Sequence, residues 1–448
     1  MHMLQRLVGL ISAVILAATF YSWRFAYFWL DDFNNLYWVR GESFTQMVWH
    51  NVNPASQFFR PFAMFFYWIL WRAFDLNPLP YHLAAWAIHA ANVVFLYVLL
   101  SRISGSRYGA AVGALLFGFR ANFADIYWSF GTIFELTACL LMLLTLLLYT
   151  GKQRNSYRTV ILVCVLYVLA IKSKEMAITI PAVLLLHDLC LGERFDRKRV
   201  VAYSLLAAIG LWFVYFKASE IGASPQHPYY MDLRVLTFGR GYGWYFDRLY
   251  GMRLRWGAWM IASVVLLAAF ILRREKRGLF FLGYAFVTLL PVVFLVNHRY
   301  EFYWYIPFFG IAGLAAVLVD AIERRLRARI PVRLIPAAGL AVFITIAAAH
   351  YSRESAESAA HLEQQRSISS DYTAFIGGLR KLPEPPRDEK IYYKSMPQHF
   401  APDVLMTATQ VALHRTDVQV EVVKDFPDSC RYCLRFENAT LILNQQLR

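Results

Sequence analysis

The segment VGLISAVILAATFYSWRFAYFWLDDFNNLYW (residues 8–38) runs from an uninterrupted apolar stretch into two adjacent aspartates, Asp31 and Asp32. An α-helix needs about 20 apolar residues to cross the roughly 30 Å hydrocarbon core of a bilayer. Residues 7–27 meet that requirement, and comparable stretches recur along the chain. The candidate spans are 7–27, 81–100, 108–120, 130–149, 158–171, 176–191, 200–217, 256–272, 278–296, 303–320 and 333–350. This pattern predicts an all-α polytopic membrane protein with about 11 transmembrane helices.

The composition agrees with a membrane protein and excludes several other classes. Of 448 residues, 58% are hydrophobic and only 17% are charged, against about 25% charged in soluble domains. The net charge of +15 and the pI near 9.6 are typical of a nucleic-acid-binding protein, but the long uncharged stretches argue against that class. Five cysteines are too few for a disulfide-stapled scaffold. The apolar content also excludes a soluble enzyme and a disordered chain.

The positive charges are distributed unevenly between the loops. If the N-terminus is cytoplasmic, the inner loops carry 19 Lys and Arg residues and the short outer turns carry four. Such an excess marks the cytoplasmic side of a membrane protein. We therefore predict a multi-pass protein of the plasma (inner) membrane, with residues 7–27 as an uncleaved signal anchor. An odd number of spans then places the C-terminus on the extracytoplasmic side.

Two segments outside the spans complete the predicted organisation. Residues 58–74 are apolar but short, and a span here would invert every later loop. We predict a juxtamembrane or re-entrant helix within a first outer loop at 31–80. After residue 350 the composition becomes polar, and IYYKS, VQVEVV and ATLILN are typical of strands. Residues 1–350 thus form the transmembrane domain and residues 351–448 a soluble extracytoplasmic α+β domain, in which Cys430 and Cys433 are close enough for a local disulfide.

Asp31 and Asp32 are the strongest candidate functional residues. Two adjacent carboxylates between aromatic side chains at a membrane boundary are energetically unfavourable unless they are hydrated, paired with a cation or take part in the protein's function. Their simplest alternative role is structural, because an aspartate is a good N-cap for a helix that begins nearby.

Further polar residues fall in the predicted outer turns. A histidine on an apolar helix is often a packing residue, and the KSKE turn at 172–175 could simply be solvated. Their shared location favours an outward-facing cavity instead. The residues concerned are Arg60, His82, His89, Glu135, Lys174, Glu175, Arg299 and Tyr300.

Carboxylates beside cations at membrane depth suit one kind of chemistry. A carboxylate can act as general base towards an acceptor hydroxyl or amine, and Arg and Lys can stabilise a phosphate leaving group. A phosphate at this depth implies a lipid phosphate. The sequence has no Gly-rich phosphate loop, so nucleotide-driven transport is disfavoured.

Five stretches in a fixed order resemble the GT-C polytopic glycosyltransferases, especially the protein O-mannosyltransferase-like (family 39-like) branch and its bacterial relatives. The shared order is an acidic pair, Arg-Pro, two histidines seven residues apart, an acidic residue opening the fourth span, Lys-Glu before a proline-containing span, and an Arg/Tyr turn. The stretches are FWLDDFNNLYW; FFRPFAMFFYWILW with NPLPYHLAAWAIHAANVVFLYVLL; IYWSFGTIFELTACLLMLLTLLLY; LAIKSKEMAITIPAVLLLHDL; and NHRYEFYWYIPFFGIAGL.

The resemblance implies an integral-membrane hexosyltransferase that moves a sugar from a polyprenyl-phosphate donor to a glycan, lipid or protein acceptor outside the membrane, with inversion. It implies Asp32 as the base, beside Asp31, and Glu135 as a second acidic residue. Donor-phosphate ligands would be Arg60, Lys174 and Arg299. The donor or acceptor cavity would include His82, His89, Glu175 and Tyr300. We expect no metal or other cofactor, although Asp31 and Asp32 could alternatively hold a divalent cation.

Three other functions compete with transfer. A flippase or transporter of lipid-linked glycan would share the cavity, but the two related halves expected of such proteins are not evident. A lipid-linked glycan ligase or polymerase would use arginines of a large outer loop, here Arg234, Arg240, Arg248, Arg253 and Arg255 in residues 218–255. A non-enzymatic scaffold would use the C-terminal domain to recruit a partner.

Overall fold

The structure is a computed structural model. It describes residues 2–53, 55–56, 58–151, 156–192, 197–217, 224–252, 254–327, 331, 335–387, 389–397, 400, 402–427 and 430–444. Within these ranges the chain is mainly helical and ends in a small sheet, as the sequence predicts. The helices of the first half are α1 His2–Trp23, α2 Asp31–Arg40, α3 Phe44–Val52, α4 Pro61–Phe74, α5 Pro78–Ser104, α6 Arg107–Gly118, α7 Ala124–Trp128, α8 Ile133–Tyr149 and α9 Tyr157–Ile171.

The second half adds the remaining helices and all of the strands. The helices are α10 Ile180–Leu191, α11 Arg197–Lys217, α12 Val235–Tyr250, α13 Trp256–Leu272, α14 Lys276–Val293, α15 Phe308–Arg327, α16 Ile335–Leu379 and α17 Pro402–Ala412. The strands are β1 Lys390–Ser395, β2 Gln419–Val422, β3 Tyr432–Glu437 and β4 Thr440–Asn444. Short 3₁₀ turns at Ala121–Phe123, Phe130–Thr132, Glu175–Thr179 and Glu301–Trp304 connect helices near one end of the bundle.

In the part of the chain that the structure describes, every predicted span overlaps an α-helix over most of its length. Among the described residues, four helical segments are long and apolar enough to cross a membrane: Pro78–Ser104, Phe130–Tyr149, Lys198–Lys217 and Lys276–Val293. Shorter apolar helices occur at Val8–Trp23, Tyr157–Ile171 and Trp256–Leu272. The span count of 11 and the sidedness remain predictions. The apolar segment at 58–74 forms α4, whose 14 residues are too few to span a bilayer.

Glycines on α6 allow the bundle to pack closely. A Cβ atom on Gly109 would lie 2.4 Å from the backbone oxygen of Ala316, and one on Gly113 would lie 2.6 Å from that of Ala312. Helix α6 therefore contacts α15 almost backbone to backbone. Small residues four apart are a common solution for helix association in membranes, because they let two backbones approach.

The C-terminal sheet has the order β2-β1-β3-β4, with β1 parallel to both β2 and β3 and β4 antiparallel to β3. The sequence predicted β1, β2 and β4; it missed β3 and helix α17. Cys430 and Cys433 form the local disulfide that their spacing predicted. The predicted domain boundary at 350/351 falls inside α16, a single helix of 45 residues that is about 68 Å long at 1.5 Å per residue.

The C-terminal region packs directly on α2, the helix that begins with the acidic pair. Arg40 of α2 donates hydrogen bonds to the backbone oxygens of Gln410 (2.6 Å) and Arg415 (3.0 Å). Thr407 of α17 donates to the Asn34 side-chain oxygen at 2.7 Å. These contacts fix the position of α2 relative to the C-terminal region.

Candidate active site

A cavity of about 610 Å³ lies at the end of the bundle where α2, the N-termini of α4 and α8, and two connecting segments meet. Both charged and aromatic side chains surround it. Its lining comprises Trp29, Leu30, Asp31, Asn34, Asn35, Trp38, Phe59, Arg60, Asp125, Trp128, Ser129, Gly131, Thr132, Phe134, Glu135, Lys174, Tyr229, His298, Tyr300, Phe302 and Tyr303. The volume is within the usual range for small-ligand sites.

The two adjacent aspartates have different environments. Asp31 is exposed and lines the cavity. Asp32 is buried, and its oxygens accept hydrogen bonds from the Tyr67 hydroxyl (2.6 Å) and the Trp29 backbone N–H (2.8 Å). Burial raises the pKa of Asp32 to about 7, against the opposing effect of these hydrogen bonds. The structure therefore places Asp31, and not Asp32, on the cavity wall.

Arg60 lies at the entry to α4, in the left-handed backbone conformation (φ 43°, ψ 57°). This conformation is uncommon for a non-glycine residue. Pro61 follows at the first position of the helix and disfavours the right-handed α region for the residue before it. The guanidinium, 9% exposed, donates to both carboxylate oxygens of Glu175, through Nε at 3.0 Å and Nη2 at 2.9 Å. The backbone conformation at Arg60 thus holds its buried guanidinium in a fixed orientation on the cavity wall.

Lys174 is the second buried cation of the cavity. It lies just before the 3₁₀ turn Glu175–Thr179, its side chain is 5% exposed, and its ammonium forms an ion pair with Glu135 in the first turn of α8. The ammonium also lies 5.0 Å from the centre of the Tyr303 ring. Burial and the nearby charge of Arg60 lower the pKa of Lys174.

Glu175 connects the two cations electrostatically. Burial alone would raise the pKa of its carboxyl, but the charges of Arg60 and Lys174 outweigh that effect and hold the pKa at about 2. Its carboxylate contacts Arg60 and lies on a small neighbouring pocket rather than on the main cavity wall. Glu175 is therefore a counter-ion in this structure.

A second carboxylate, Asp125, shares the cavity with Asp31. Burial and the charge of Glu301 raise the pKa of Asp125 to about 6. Aromatic rings form much of the remaining wall: Trp29 meets Trp128 edge to face at 5.2 Å, and Tyr229 packs on His298 at 4.5 Å. Such a wall provides flat apolar faces with a few polar edges, which suits a ligand that is partly apolar and partly hydroxylated.

Five of the ten predicted site residues do not line the cavity: Asp32, Glu175, His82, His89 and Arg299. His82 contacts the backbone oxygen of Ala26 at 2.8 Å, and His89 lies between the Tyr305 hydroxyl (2.8 Å) and the Gly118 backbone oxygen (2.9 Å). Both histidines are buried and tie α5 to neighbouring segments, as the packing alternative predicted.

Arg299 is the last of these five residues. Its Nε donates to the backbone oxygen of Leu295 at 2.8 Å, and it is absent from the cavity lining. Its neighbours His298 and Tyr300 line the wall instead, because side chains alternate along this extended segment. Asp31, Arg60, Glu135, Lys174 and Tyr300 do converge there, as predicted.

Asp125, His298 and Tyr229 line the cavity but are not among the predicted site residues. Asp125 is recognisable as a carboxylate in an outer turn, but its sequence position did not distinguish it from Glu135. His298 was obscured by the adjacent arginine. Tyr229 carries no sequence signal, since the course of its loop depends on tertiary contacts such as the bridge between Met231 and Leu295.

Among the described residues, no group of three or more His, Cys, Asp and Glu side chains is arranged to hold a metal ion. The alternative cation site at Asp31 and Asp32 remains a prediction. Both oxygens of Asp32 already accept hydrogen bonds, and its side chain is buried behind the wall.

Comparison with known proteins identifies the fold. No protein-family model matches the sequence, and no curated protein matches it. Among solved structures, the chain is similar to ArnT from Cupriavidus metallidurans bound to undecaprenyl phosphate, with a TM-score of 0.53 and 13% identity. The similarity covers 92% of this chain and 85% of ArnT. The chain therefore shares the overall fold of ArnT, which supports the GT-C resemblance that its sequence motifs carry.

Proposed function

We propose that this protein transfers a sugar from a polyprenyl-phosphate donor to an acceptor hydroxyl within the cavity. The observation that carries the proposal is the presence of two buried cations, Arg60 and Lys174, in one cavity with the carboxylates of Asp31 and Asp125. Cations stabilise the charge that develops on a leaving phosphate. A carboxylate accepts the proton that the attacking hydroxyl must lose.

Asp31 is the proposed general base. A base must come within hydrogen-bond reach of the acceptor hydroxyl, and Asp31 is the member of the pair that lines the cavity. Asp32 acts as a positioning residue, since its contacts with Tyr67 and Trp29 hold the start of α2 in place. Asp125 is a second carboxylate available to orientate the acceptor.

The transfer step balances without a metal or redox partner. Asp31 accepts the proton of the acceptor hydroxyl as its oxygen attacks the anomeric carbon. The bond between that carbon and the phosphate oxygen breaks, and its electron pair leaves on the polyprenyl phosphate. Arg60 and Lys174 stabilise this phosphate. Attack opposite the leaving group inverts the anomeric configuration.

Glu135 and Glu175 hold the cations rather than exchange protons with the substrate. Each is the counter-ion of a buried basic side chain, Glu135 of Lys174 and Glu175 of Arg60. This role differs from the second catalytic acid that the family resemblance implied for Glu135. A positioned cation needs less rearrangement when the phosphate charge develops.

The carrier class is inferred from the ligand of the structural relative and from the apolar helices around the cavity. ArnT was solved with undecaprenyl phosphate. We propose a polyprenyl-phosphate carrier for this protein as well, because Arg60 and Lys174 provide two cations at the end of a bundle whose helices include several that are long and apolar enough to cross a membrane. The excess of basic residues in the predicted inner loops supports a position of the cavity and the C-terminal region on the extracytoplasmic side of the inner membrane.

A ligase or polymerase has less support. Of the loop arginines on which that alternative depends, Arg253 lies outside the described residues and the other four do not line the cavity. Arg234 pairs with Asp232, and Arg248 pairs with Glu301. The same cavity would suit a flippase, and turnover separates the two functions because a flippase leaves the bond between sugar and phosphate intact.

The experiment compares the purified wild-type chain with Asp31→Asn and Asp32→Asn, using undecaprenyl-phosphate mannose and undecaprenyl-phosphate glucose with a membrane extract as acceptor. Release of undecaprenyl phosphate is measured. We expect Asp31→Asn to lower turnover by about 10²–10⁴-fold, the usual contribution of a general base, with undecaprenyl-phosphate binding unchanged. Full turnover in Asp31→Asn would overturn the base assignment. If the wild type binds the lipid donors but releases no undecaprenyl phosphate from either of them, the proposed transfer from these donors is wrong.

A further inference from the structure

A second, separate recess lies where the end of α1 meets the middle of α16. This groove of about 840 Å³ is open, and it is lined by Ser22, Arg24, Phe25, Leu79, Arg366, Ser369, Ser370, Thr373 and Ala374. None of these residues lines the candidate active site. The two sites have different charge: the active-site cavity combines acidic and basic residues, whereas the described residues of the groove include two arginines and no acidic residue.

The polar residues of the groove form one stripe. Arg366, Ser369, Ser370 and Thr373 are spaced by three, four and seven residues along α16, so they share a helix face. Arg24 approaches from the end of α1. The groove thus presents two guanidinium groups and the exposed hydroxyl of Ser370, while the Ser369 and Thr373 hydroxyls already contact backbone groups. Arginine binds phosphate oxygens well because it donates paired hydrogen bonds.

Aromatic and apolar residues border the same groove. The Arg24 guanidinium lies 3.5 Å from the centre of the Tyr21 ring, and Tyr21 is 64% exposed. The Arg366 guanidinium lies 5.3 Å from the Phe25 ring, and Leu79 is 43% exposed. Exposed aromatic and basic residues at the end of an apolar helix are typical of the level of lipid headgroups. The groove therefore combines basic side chains, which can bind a phosphate, with exposed apolar side chains, which can contact the acyl chains of a lipid.

The existing partners of the two arginines leave them able to bind an anion. Arg366 has Glu363 at 3.8 Å, but the two side chains are 54% and 81% exposed, and such surface pairs contribute little. Arg24 donates to the backbone oxygen of Tyr21, which carries no charge. The groove consequently retains positive charge.

We propose that this groove binds the phosphate-bearing headgroup of an anionic lipid from the adjacent leaflet, with the phosphate between Arg24 and Arg366. The lipid would lie behind the cavity wall, because Tyr372, between groove residues Ser369 and Thr373, stacks on cavity residue Trp29 at 5.5 Å. Binding here is independent of sugar transfer, so its failure leaves the proposed function untouched.

Native mass spectrometry of the full chain in detergent tests the groove with equal amounts of phosphatidylglycerol and phosphatidylcholine. The choline cation compensates its phosphate, so the wild type should retain phosphatidylglycerol preferentially. The double variant Arg24→Gln/Arg366→Gln should lose this preference by roughly tenfold or more, because a charge-assisted hydrogen bond is lost at each arginine. Lysine at both positions should restore part of it.

Arg353→Gln is the matched control, since Arg353 is also an exposed arginine of α16 with an acidic partner, Glu357 at 2.8 Å, but lies outside the groove. An unchanged lipid preference in the double variant, or an equal loss in the control, would overturn the proposal. Inorganic phosphate is added as a competitor. Displacement of phosphatidylglycerol by millimolar phosphate would show a free-phosphate site and would also overturn it. Size-exclusion profiles of all variants establish that they are folded.

Discussion

Removal of the buried Lys174 ammonium should affect folding and ligand binding in separable ways. Its side chain is 5% exposed and that of its partner Glu135 is 3% exposed. In Lys174→Met, the Glu135 carboxylate is left in the same surroundings without its counter-ion. Removal of one partner from a buried pair typically destabilises a protein by about 3–5 kcal/mol. At roughly 2 °C per kcal/mol for a large chain, the melting temperature should fall by about 6–10 °C.

The double variant Glu135→Met/Lys174→Met distinguishes pairing from ligand binding. Replacing a whole buried ion pair with apolar residues of similar size is often neutral or stabilising, so its melting temperature should return close to the wild-type value. Undecaprenyl-phosphate binding should remain weak in both variants, since neither contains the ammonium. Melting is followed by tryptophan fluorescence in detergent, and lipid binding by native mass spectrometry.

Two results would refute this reasoning. If Lys174→Met melts like the wild type, the pair does not stabilise the fold as its burial indicates. If the double variant binds undecaprenyl phosphate as tightly as the wild type, Lys174 is not a phosphate ligand. Lys172→Met is the matched control, because Lys172 lies two residues away and its ammonium donates to backbone oxygens outside the cavity.

Three further outcomes are expected. Gly109→Ala should destabilise the bundle by about 1–3 kcal/mol, because its Cβ would meet Ala316 at 2.4 Å, whereas Gly377→Ala, with open space around it, should not; thermal melting compares them. Burial raises the pKa of Asp32 from 3.8 to about 7, so its contribution to stability is present below about pH 4 and is lost as pH rises through 7. The melting temperature should therefore fall less steeply between pH 4 and 7 in Asp32→Asn than in the wild type. Identical slopes would contradict the raised pKa. Arg299→Gln should bind undecaprenyl phosphate as the wild type does, and a large loss of affinity would return Arg299 to the site.

The helical framework was predictable because membrane spans leave a strong sequence signal. Each long apolar stretch coincides with a helix, and the short apolar segment at 58–74 is α4. The C-terminal sheet was only partly predictable. YCLRFE at 432–437 forms β3, one of the two inner strands, although it lacks a clear alternation of polar and apolar residues, because pairing with β1 and β4 determines its conformation.

The sequence predicted which segments of the chain form the candidate site, but it did not always predict which residue of a segment lines the cavity. Asp31 and Asp32 are adjacent, so a sequence cannot show which of them faces a cavity; successive residues of a helix point about 100° apart. The same uncertainty applied to Arg299, whose two neighbours line the wall in its place. Arg60 and Lys174 could be predicted to lie at the cavity because a basic residue next to hydrocarbon needs a buried partner or a function, and both line its wall; their role as phosphate ligands stays a prediction.

The Arg60–Glu175 and Lys174–Glu135 pairs have a consequence for product release. If a lipid phosphate occupies these cations, it displaces carboxylates that remain tethered a few ångströms away at a very high local concentration. Glu135 and Glu175 thus compete with the lipid phosphate for the two cations. The spent carrier, which is more negatively charged than the donor, can be expelled as the two glutamates return to their cations, so the empty site is electrically balanced before the next donor arrives.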